Sequence, residues 1–483
     1  GGWDRNVYPY STDTDDGEMY ILQYLVGGLT TRSANSPVTD SAAGGTALSS
    51  GYKTNNYHVG IDPQKKPHAS ILEAAQYVGK KTGMVTIYEW TNATPAAFSA
   101  HAPDRTDYAD MSEQIVNQGI DVVLGGGFGA AKWGSIKEAE VRGYNIIDTK
   151  EKLANVKAGD KIWGNLVSDS FPYDIHNDET TPTLAEMTKA AITALDSGDN
   201  GFFLMVEGSR VDGGGHNNYA LGMVSDFLAF DAACKVAIEY AKGRNDTLVV
   251  ICPDHDTGGM NTPANTNSTV QMLKQGKEPT DVTWETDGHT ARNGGLFVYV
   301  PAGVAYPRGI TGDLIGTNGA YETYVIDNTE LAPYMAGFMG VNLDDISSKL
   351  FVDVTDLGRY SSDTGMFIFN SDEYSVMAKS NTSSATIDGE EVSLNGQVIL
   401  HINNRFYVPQ ILLDRIGYEA PSPDEVKVIV NGEKVVFDVK PIIEEGRVLV
   451  PVRAIFEKLG GKFTWINNVT ASLEINGKDY NYS

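Results

Sequence analysis

Three of the eight histidines in this chain stand beside carboxylates and glycines at spacings that suit a divalent cation. VEGSRVDGGGH holds Glu207, Asp212 and His216, CPDHDTGG holds Asp254 and His255, and DGHTA supplies His289. Carboxylate and imidazole without thiolate suit Zn2+ in a catalytic rather than a structural site. Asp212 and His216, four apart, would share one helix face. The three glycines between them disfavour a helix interior, so a helix start or tight loop is expected there. Each motif also has a plain structural role open to it. Asp254 and His255 would serve as a cap pair at a strand end, DGGGH as a flexible loop, and His289 as a turn residue after glycine. The conjunction of all three carries more than any one of them.

Two further stretches bring groups suited to phosphate. In VTDSAAGGTALSSG, residues 38–51, Asp40 and Ser41 precede a run of small residues. This is either a helix cap or a nucleophile at a helix start, where backbone N–H groups favour an anion. In TNATPAAFSAHAPDR, residues 91–105, Thr94 offers a hydroxyl and Arg105 a planar fork matched to two phosphate oxygens. Taken singly, these two read as a cap before Pro95 and a surface arginine.

The elements that must position these groups alternate. ASILEAAQYVGK, YADMSEQIVNQG, PTLAEMTKAAITAL and MVSDFLAFDAACKVAIEYAK have helical periodicity. KTGMVTIYE, IDVVLGGG, GFFLMVEG and TLVVICPDHDTGG read as short β-rich runs. The alternation predicts an α/β fold, a doubly wound, mostly parallel sheet with helices on both faces. Ligands bind such sheets beyond the strands' carboxyl ends, where Glu207, Asp254 and His255 fall. The loops at 128–180 and 260–288 carry no readable specificity code.

Beyond about residue 350 the text turns polar and β-alternating, then repeats itself as NNRFYVPQILLDRIGYE (403–419) and EGRVLVPVRAIFEKLGGKF (445–463). Each copy is a turn, a short strand, Val-Pro and an amphipathic helix. The expected organisation is a catalytic domain over 1–350, a linker over 351–370 and a small α+β domain over 371–483.

A net charge of −26, from 37 basic and 63 acidic residues, argues against binding nucleic acid or an anionic membrane surface through a basic patch. No apolar run approaches the roughly 18 residues of a transmembrane helix. Cys234 and Cys252 are expected as buried free thiols, with a single bridge left open. The chain opens on GGWDRNVYPY without an initiator Met or signal peptide, and a missing N-terminal piece is expected.

Five motifs in order, TDSAAGGTA, NATPAAFSAH…R, VEGSRVDGGGH, PDHDTGG and GHT, resemble the alkaline phosphatase family over about residues 25–345. The resemblance implies hydrolysis of small phosphomonoesters through a phosphoserine at Ser41, with Asp40 orienting the phosphate-holding Arg105. It implies two Zn2+ ions, one on Asp212, His216 and His289 and one on Asp254 and His255, and one Mg2+ ion on Thr94 and Glu207. Homodimers are common in that family. The small residues after Ser41 are expected to keep the helix start uncluttered.

Three positions depart from the family pattern. Nothing before Ser41 matches its strand-terminal Asp-Gly, whose aspartate bridges the second zinc and the magnesium, so weak binding of both is expected. The chain is then either a fragment or a degenerate phosphatase domain acting as a non-catalytic surface protein that binds metal or phosphate. Asn92 stands where Asp or His is usual near the third metal, and Gly213 where Lys, His or Trp is common. A phosphodiesterase or sulfatase on the same fold is the other enzyme alternative, and Asp-Ser followed by Ala-Ala argues against it. GRVLVPVRAIFEKLGG, residues 446–461, is similar to the copper amine oxidase N-terminal domain, with no copper ligands visible. Such modules imply an extracytoplasmic location and attachment to a cell surface.

Overall fold

The computed structural model describes residues 19–126, 136–168, 170–262, 267–307, 325–370 and 373–418, with short strands between 429 and 482. The chain divides into a unit reaching Leu412 and a second beginning at Leu413.

In the first unit the chain runs β1 (Leu25–Thr30), α1 (Ser41–Ser50), α2 (Ile71–Tyr77), β2 (Lys81–Glu89), α3 (Ala93–Ser99), α4 (Tyr108–Gln118) and β3 (Val122–Gly126). It continues through α5 (Ile136–Val141), β4 (Asn145–Ile147), α6 (Lys150–Ala154), β5 (Ile162–Gly164), α7 (Leu184–Leu195) and β6 (Phe202–Glu207). Then come α8 (Arg210–His216), α9 (Ala220–Ala241), β7 (Val249–Ile251), β8 (Asp256–Thr257), α10 (Asn267–Lys274), β9 (His289–Thr290), β10 (Gly294–Tyr299) and β11 (Val325–Asp327). The expected alternation is therefore present. Apolar β-rich runs such as Met84–Ile87 form buried strands because both faces are covered, as in a parallel sheet.

One sheet has the order β4-β5-β3-β2-β6, every neighbouring pair parallel. The other, β11-β1-β10-β7, pairs β1 with β11 in parallel and β10 antiparallel to both β1 and β7. β6 and β7 are each the outermost strand of their sheet. Both border one cavity of about 1120 Å3 that also reaches Ser41. Cys234 and Cys252 are free thiols, and burial pushes Cys252 up to about 12.

Residues 351–370, expected as a linker, instead carry strands. Val352–Asp353 pairs with Arg405–Val408, and Arg359–Ser361 and Met366–Asn370 begin a five-stranded antiparallel meander ending at Glu390–Ser393. Leu400, Ile402 and Tyr407 join the main apolar core, so this stretch folds with the first unit and the expected boundary at 350 falls inside it. Leu400 and Ile402 flank the partly exposed His401, whereas Phe406, Tyr407 and Val408 are buried in succession. The first repeat copy forms the strand Arg405–Val408 and the helix Gln410–Arg415. In the second copy Arg447–Leu449 is a strand, and its helix lies outside the described residues. The second unit also holds the antiparallel strands Lys462–Trp465, Ala471–Ile475 and Lys478–Tyr482.

Candidate active site

Asp40 answers both readings of the Asp-Ser pair. Its Oδ1 accepts the Ala43 N–H at 3.0 Å and caps α1, while its Oδ2 accepts from the Arg105 guanidinium at 3.1 Å. Ser41 is thus the first residue of α1, where unpaired backbone N–H groups point outward. The small residues behind it are there for packing. A Cβ on Gly44 would lie 3.1 Å from the Asp254 Cβ, and one on Gly45 would lie 3.0 Å from the Ala97 Cβ. Their absence lets α1 press against both the loop after β7 and α3.

The Ser41 hydroxyl lies 2.9 Å from His255 Nε2, which is 3.1 Å from Asp254 Oδ2. Asp254 resists ionisation through burial, but the His255 charge and hydrogen bond outweigh this and hold it at about 2. Burial works against a charge on His255 too, and Asp254 overcomes it and raises the imidazole above its ordinary value.

The second half of the site departs from expectation in its local structure. The glycine-rich DGGGH is fully helical, because α8 runs through to His216. Gly214 and Gly215 are required by contact rather than by flexibility. Added Cβ atoms there would lie 2.7 Å from the Met223 Cα and 2.7 Å from the Thr257 carbonyl oxygen. Tertiary packing thus overrides a weak helix propensity. His289 likewise comes from the short strand β9, opposite Thr257 of β8, rather than from a loop.

The described side chains meet. Asp212, His255 and His289 offer ligand atoms all within 4.8 Å of one another. Asp212 lies 3.4 Å from His216 Nε2 and 3.6 Å from His289 Nε2, and the two Nε2 atoms are 3.2 Å apart. Distance therefore groups His255 with Asp212 and His289, across the division into two ligand sets implied by the resemblance.

The donor chemistry fits a divalent cation. His216 Nδ1 lies 2.7 Å from the Asp287 carbonyl and His289 Nδ1 lies 2.7 Å from the Thr39 carbonyl. A carbonyl only accepts, so both imidazoles carry a proton on Nδ1, and both Nε2 lone pairs face each other and Asp212. Two imidazole lone pairs converging on a carboxylate are a donor set suited to a divalent cation. Backbone carbonyls orienting the far nitrogen are the usual support of metal-binding histidines.

Beside this cluster, Glu207 at the end of β6 accepts a hydrogen bond of 2.6 Å from Thr86 and is also hydrogen-bonded to Thr94. Burial pushes the Glu207 carboxyl up to about 7, the bond from Thr86 opposes this, and the charge of Asp254 adds to it. Asn92 caps α3 through the Ala93 N–H at 2.7 Å and accepts a longer bond of 3.4 Å from Arg105. Its observed role is therefore to seat the arginine.

Two hydroxyl residues escaped the sequence reading. Thr257 donates a short hydrogen bond to Asp212 and lies 3.2 Å from His255 Nδ1, joining the halves. Only its place two residues after His255 could have signalled it. Thr86 meets Glu207 through the parallel register of β2 and β6, which no local pattern encodes.

Ser41 on a helix start, an arginine seated by carboxylate and amide, and a carboxylate-imidazole cluster thus lie together in one α/β unit. The alkaline phosphatase family model matches residues 11–310, and the chain belongs to that family. It is 39% identical over 237 residues to alkaline phosphatase 4 of Bacillus subtilis (strain 168), covering 47% of this chain and 51% of the relative. It is 34% identical over 284 residues to the repressible alkaline phosphatase of Saccharomyces cerevisiae, covering 51% and 50%. The chain spans about half the length of the curated relatives it matches. Among solved structures, the cold-active alkaline phosphatase from Shewanella sp. has TM-score 0.60 and 26% identity, covering 69% of this chain and 95% of that one. Alkaline phosphatase from the Antarctic bacterium TAB5 has TM-score 0.56 and 28% identity, covering 69% and 93%. A variant of the TAB5 enzyme, with TM-score 0.54 and 29% identity over 66% of this chain and 89% of that one, was solved with Mg bound in its M3 site. Residues 429–481 match the copper amine oxidase N-terminal domain.

Proposed function

We propose that this chain is a metal-dependent phosphomonoesterase that forms a phosphoserine at Ser41. The observation that carries the reading is the Ser41 hydroxyl at 2.9 Å from His255, inside a cluster whose two facing imidazole lone pairs call for a cation. Asp212, His216 and His289 would hold one Zn2+, Asp254 and His255 a second, and Thr94 with Glu207 a Mg2+. When bound, these ions supply Lewis acidity and lower the pKa of a coordinated hydroxyl. Arg105 holds two oxygens of the phosphoryl group, pinned by Asp40 and Asn92 so that little side-chain freedom is lost on binding. The α1 N-terminus adds N–H dipoles where negative charge gathers. Ser41 attacks phosphorus in line, the ester oxygen leaves as the alcohol, and water then cleaves the serine phosphate.

The test is hydrolysis of p-nitrophenyl phosphate with Zn2+ and Mg2+ supplied. Ser41→Ala is expected to lower turnover by about 10³-fold or more while metal content stays the same. Wild-type protein with no turnover would overturn the enzyme reading.

A second reading is a domain that binds metal and phosphate without turnover. On that reading Zn2+ and phosphate bind with Ser41 never phosphorylated, which incubation with labelled phosphate ester separates. We place the protein outside the cytoplasm, as a homodimer attached through its C-terminal unit. Cell fractionation and analytical ultracentrifugation test these assignments.

A further inference from the structure

Arg210 opens α8 beside the metal-ligand cluster, and the phosphate chemistry above gives it no task. Among the described residues it makes no hydrogen bond or ion pair, and its Nε is buried without a partner. The guanidinium nonetheless has a defined seat. Its central carbon lies 4.2 Å from the centre of the Tyr173 ring, and Tyr173 is itself tied by its hydroxyl to Asn217 at 2.8 Å. Nη1 also lies 3.6 Å from where a Cβ on Gly213 would stand. The missing side chain at 213 thus leaves the room the guanidinium borders. Arg210 lines the cavity that also contains Ser41, Arg105 and Asp212.

Its angular position says which part of a ligand it reaches. At about 100° per residue, Asp212 and His216 project from one side of α8, while Arg210 projects well over a quarter-turn away. Arg105 already provides the fork for the transferring phosphoryl group. A second guanidinium, stacked on an aromatic ring and forming no ion pair among the described residues, though its charge acts on Asp226, is placed to meet a separate anion. Cation–π stacking holds the plane while leaving its N–H groups free to donate.

We propose that Arg210 is a specificity-determining residue that binds a second anionic group, phosphate or carboxylate, on the leaving portion of the substrate. This rests on the phosphomonoesterase reading. The preferred substrates are then those whose leaving portion carries a further negative charge close to the scissile bond, either a phosphomonoester such as a phosphorylated hydroxy acid or the terminal phosphoanhydride of a nucleoside diphosphate.

The test compares full-length wild type with Arg210→Gln and Arg210→Lys on p-nitrophenyl phosphate, adenosine diphosphate and 3-phosphoglycerate. For Arg210→Gln the loss of kcat/KM on the two-anion substrates is expected to exceed that on p-nitrophenyl phosphate by about tenfold or more, mostly in KM. Arg210→Lys is expected to recover part of it. A larger loss on one of the two assigns the site to phosphate or to carboxylate. Calorimetry gives a readout apart from turnover, with phosphonoacetate binding weakened about tenfold relative to methylphosphonate. Equal losses on all substrates and both phosphonates, or no loss, would overturn the inference. Wild type inert on p-nitrophenyl phosphate would instead sink the phosphatase reading, so the two failures are distinguishable.

Discussion

The two halves of the site are built on opposite plans. The side chain of His255 is 1% exposed and that of Asp254 22%, whereas Asp212 and His216 stand at 38% and 42%. The first pair is packed under α1, with Gly44 allowing the helix to touch Asp254, and it fixes the nucleophile. The second pair hangs from a short glycine-rich helix open to water, and its imidazole, like that of His289 on β9, is steered by a backbone carbonyl. A nucleophile gains from rigidity and exclusion of water, while the hydrolytic step and product release need solvent access. Under the proposed function, the buried half would serve attack and the open half exchange with solvent.

The sharpest way to break this contrast is to remove one imidazole from each half. His255→Ala is expected to lower kcat/KM by about 10³-fold, without rescue by excess Zn2+, because it also removes the contact to Ser41. His216→Ala is expected to cost about 10²-fold and to recover in part as Zn2+ is raised. Equal rescue of both in a Zn2+ titration would erase the distinction.

Thr257 ties the halves together, so Thr257→Val should weaken both at once, by roughly 10-fold in metal affinity measured by competition with a chelator. An effect confined to one half would show that Thr257 is not the link. Gly215→Ala drives a Cβ into the Thr257 carbonyl and should destabilise the fold by about 1–3 kcal/mol in denaturant titration. Gly44→Ala, whose nearest contacts are at 3.1 Å, should cost less.

The smallest effect lies outside both halves. Burial pushes the Asp226 carboxyl up to about 7, the Asp174 N–H and the Arg210 charge oppose this, and the Asp174 carboxylate adds to it. The folded state therefore keeps a proton that the unfolded chain releases near pH 4. Stability from this group is full below that pH and is lost as pH rises through about 7. Asp226→Asn should gain on wild type by about 2–4 °C in Tm at pH 8 and by little at pH 4, read from thermal melts.

Much of this was legible in the residues. The helix and strand periods from Ile71 to Ile251 follow from which side chains face a core, a local property of the chain. The ligand types followed from the chemistry they can do, whereas the role expected of Ser41 came from the family resemblance. The helical state of Arg210–His216 was not legible, since propensity argues against three glycines and only the approach of Met223 and Thr257 requires them. Nor was the place of residues 351–412, whose polar text hides alternate residues packed on the main core.

By itself, then, the sequence determined the α/β class, the order of elements and the inventory of carboxylate, imidazole, hydroxyl and guanidinium groups, because these depend on side-chain identity and near-neighbour period. Tertiary structure alone decided that Asn92 joins Asp40 in seating Arg105, that Thr86 and Thr257 brace the carboxylates, and that Arg210 lies stacked on Tyr173. Each of these is a contact across strand register or helix packing. It depends on where distant segments stop against one another, and no stretch of neighbouring residues records that.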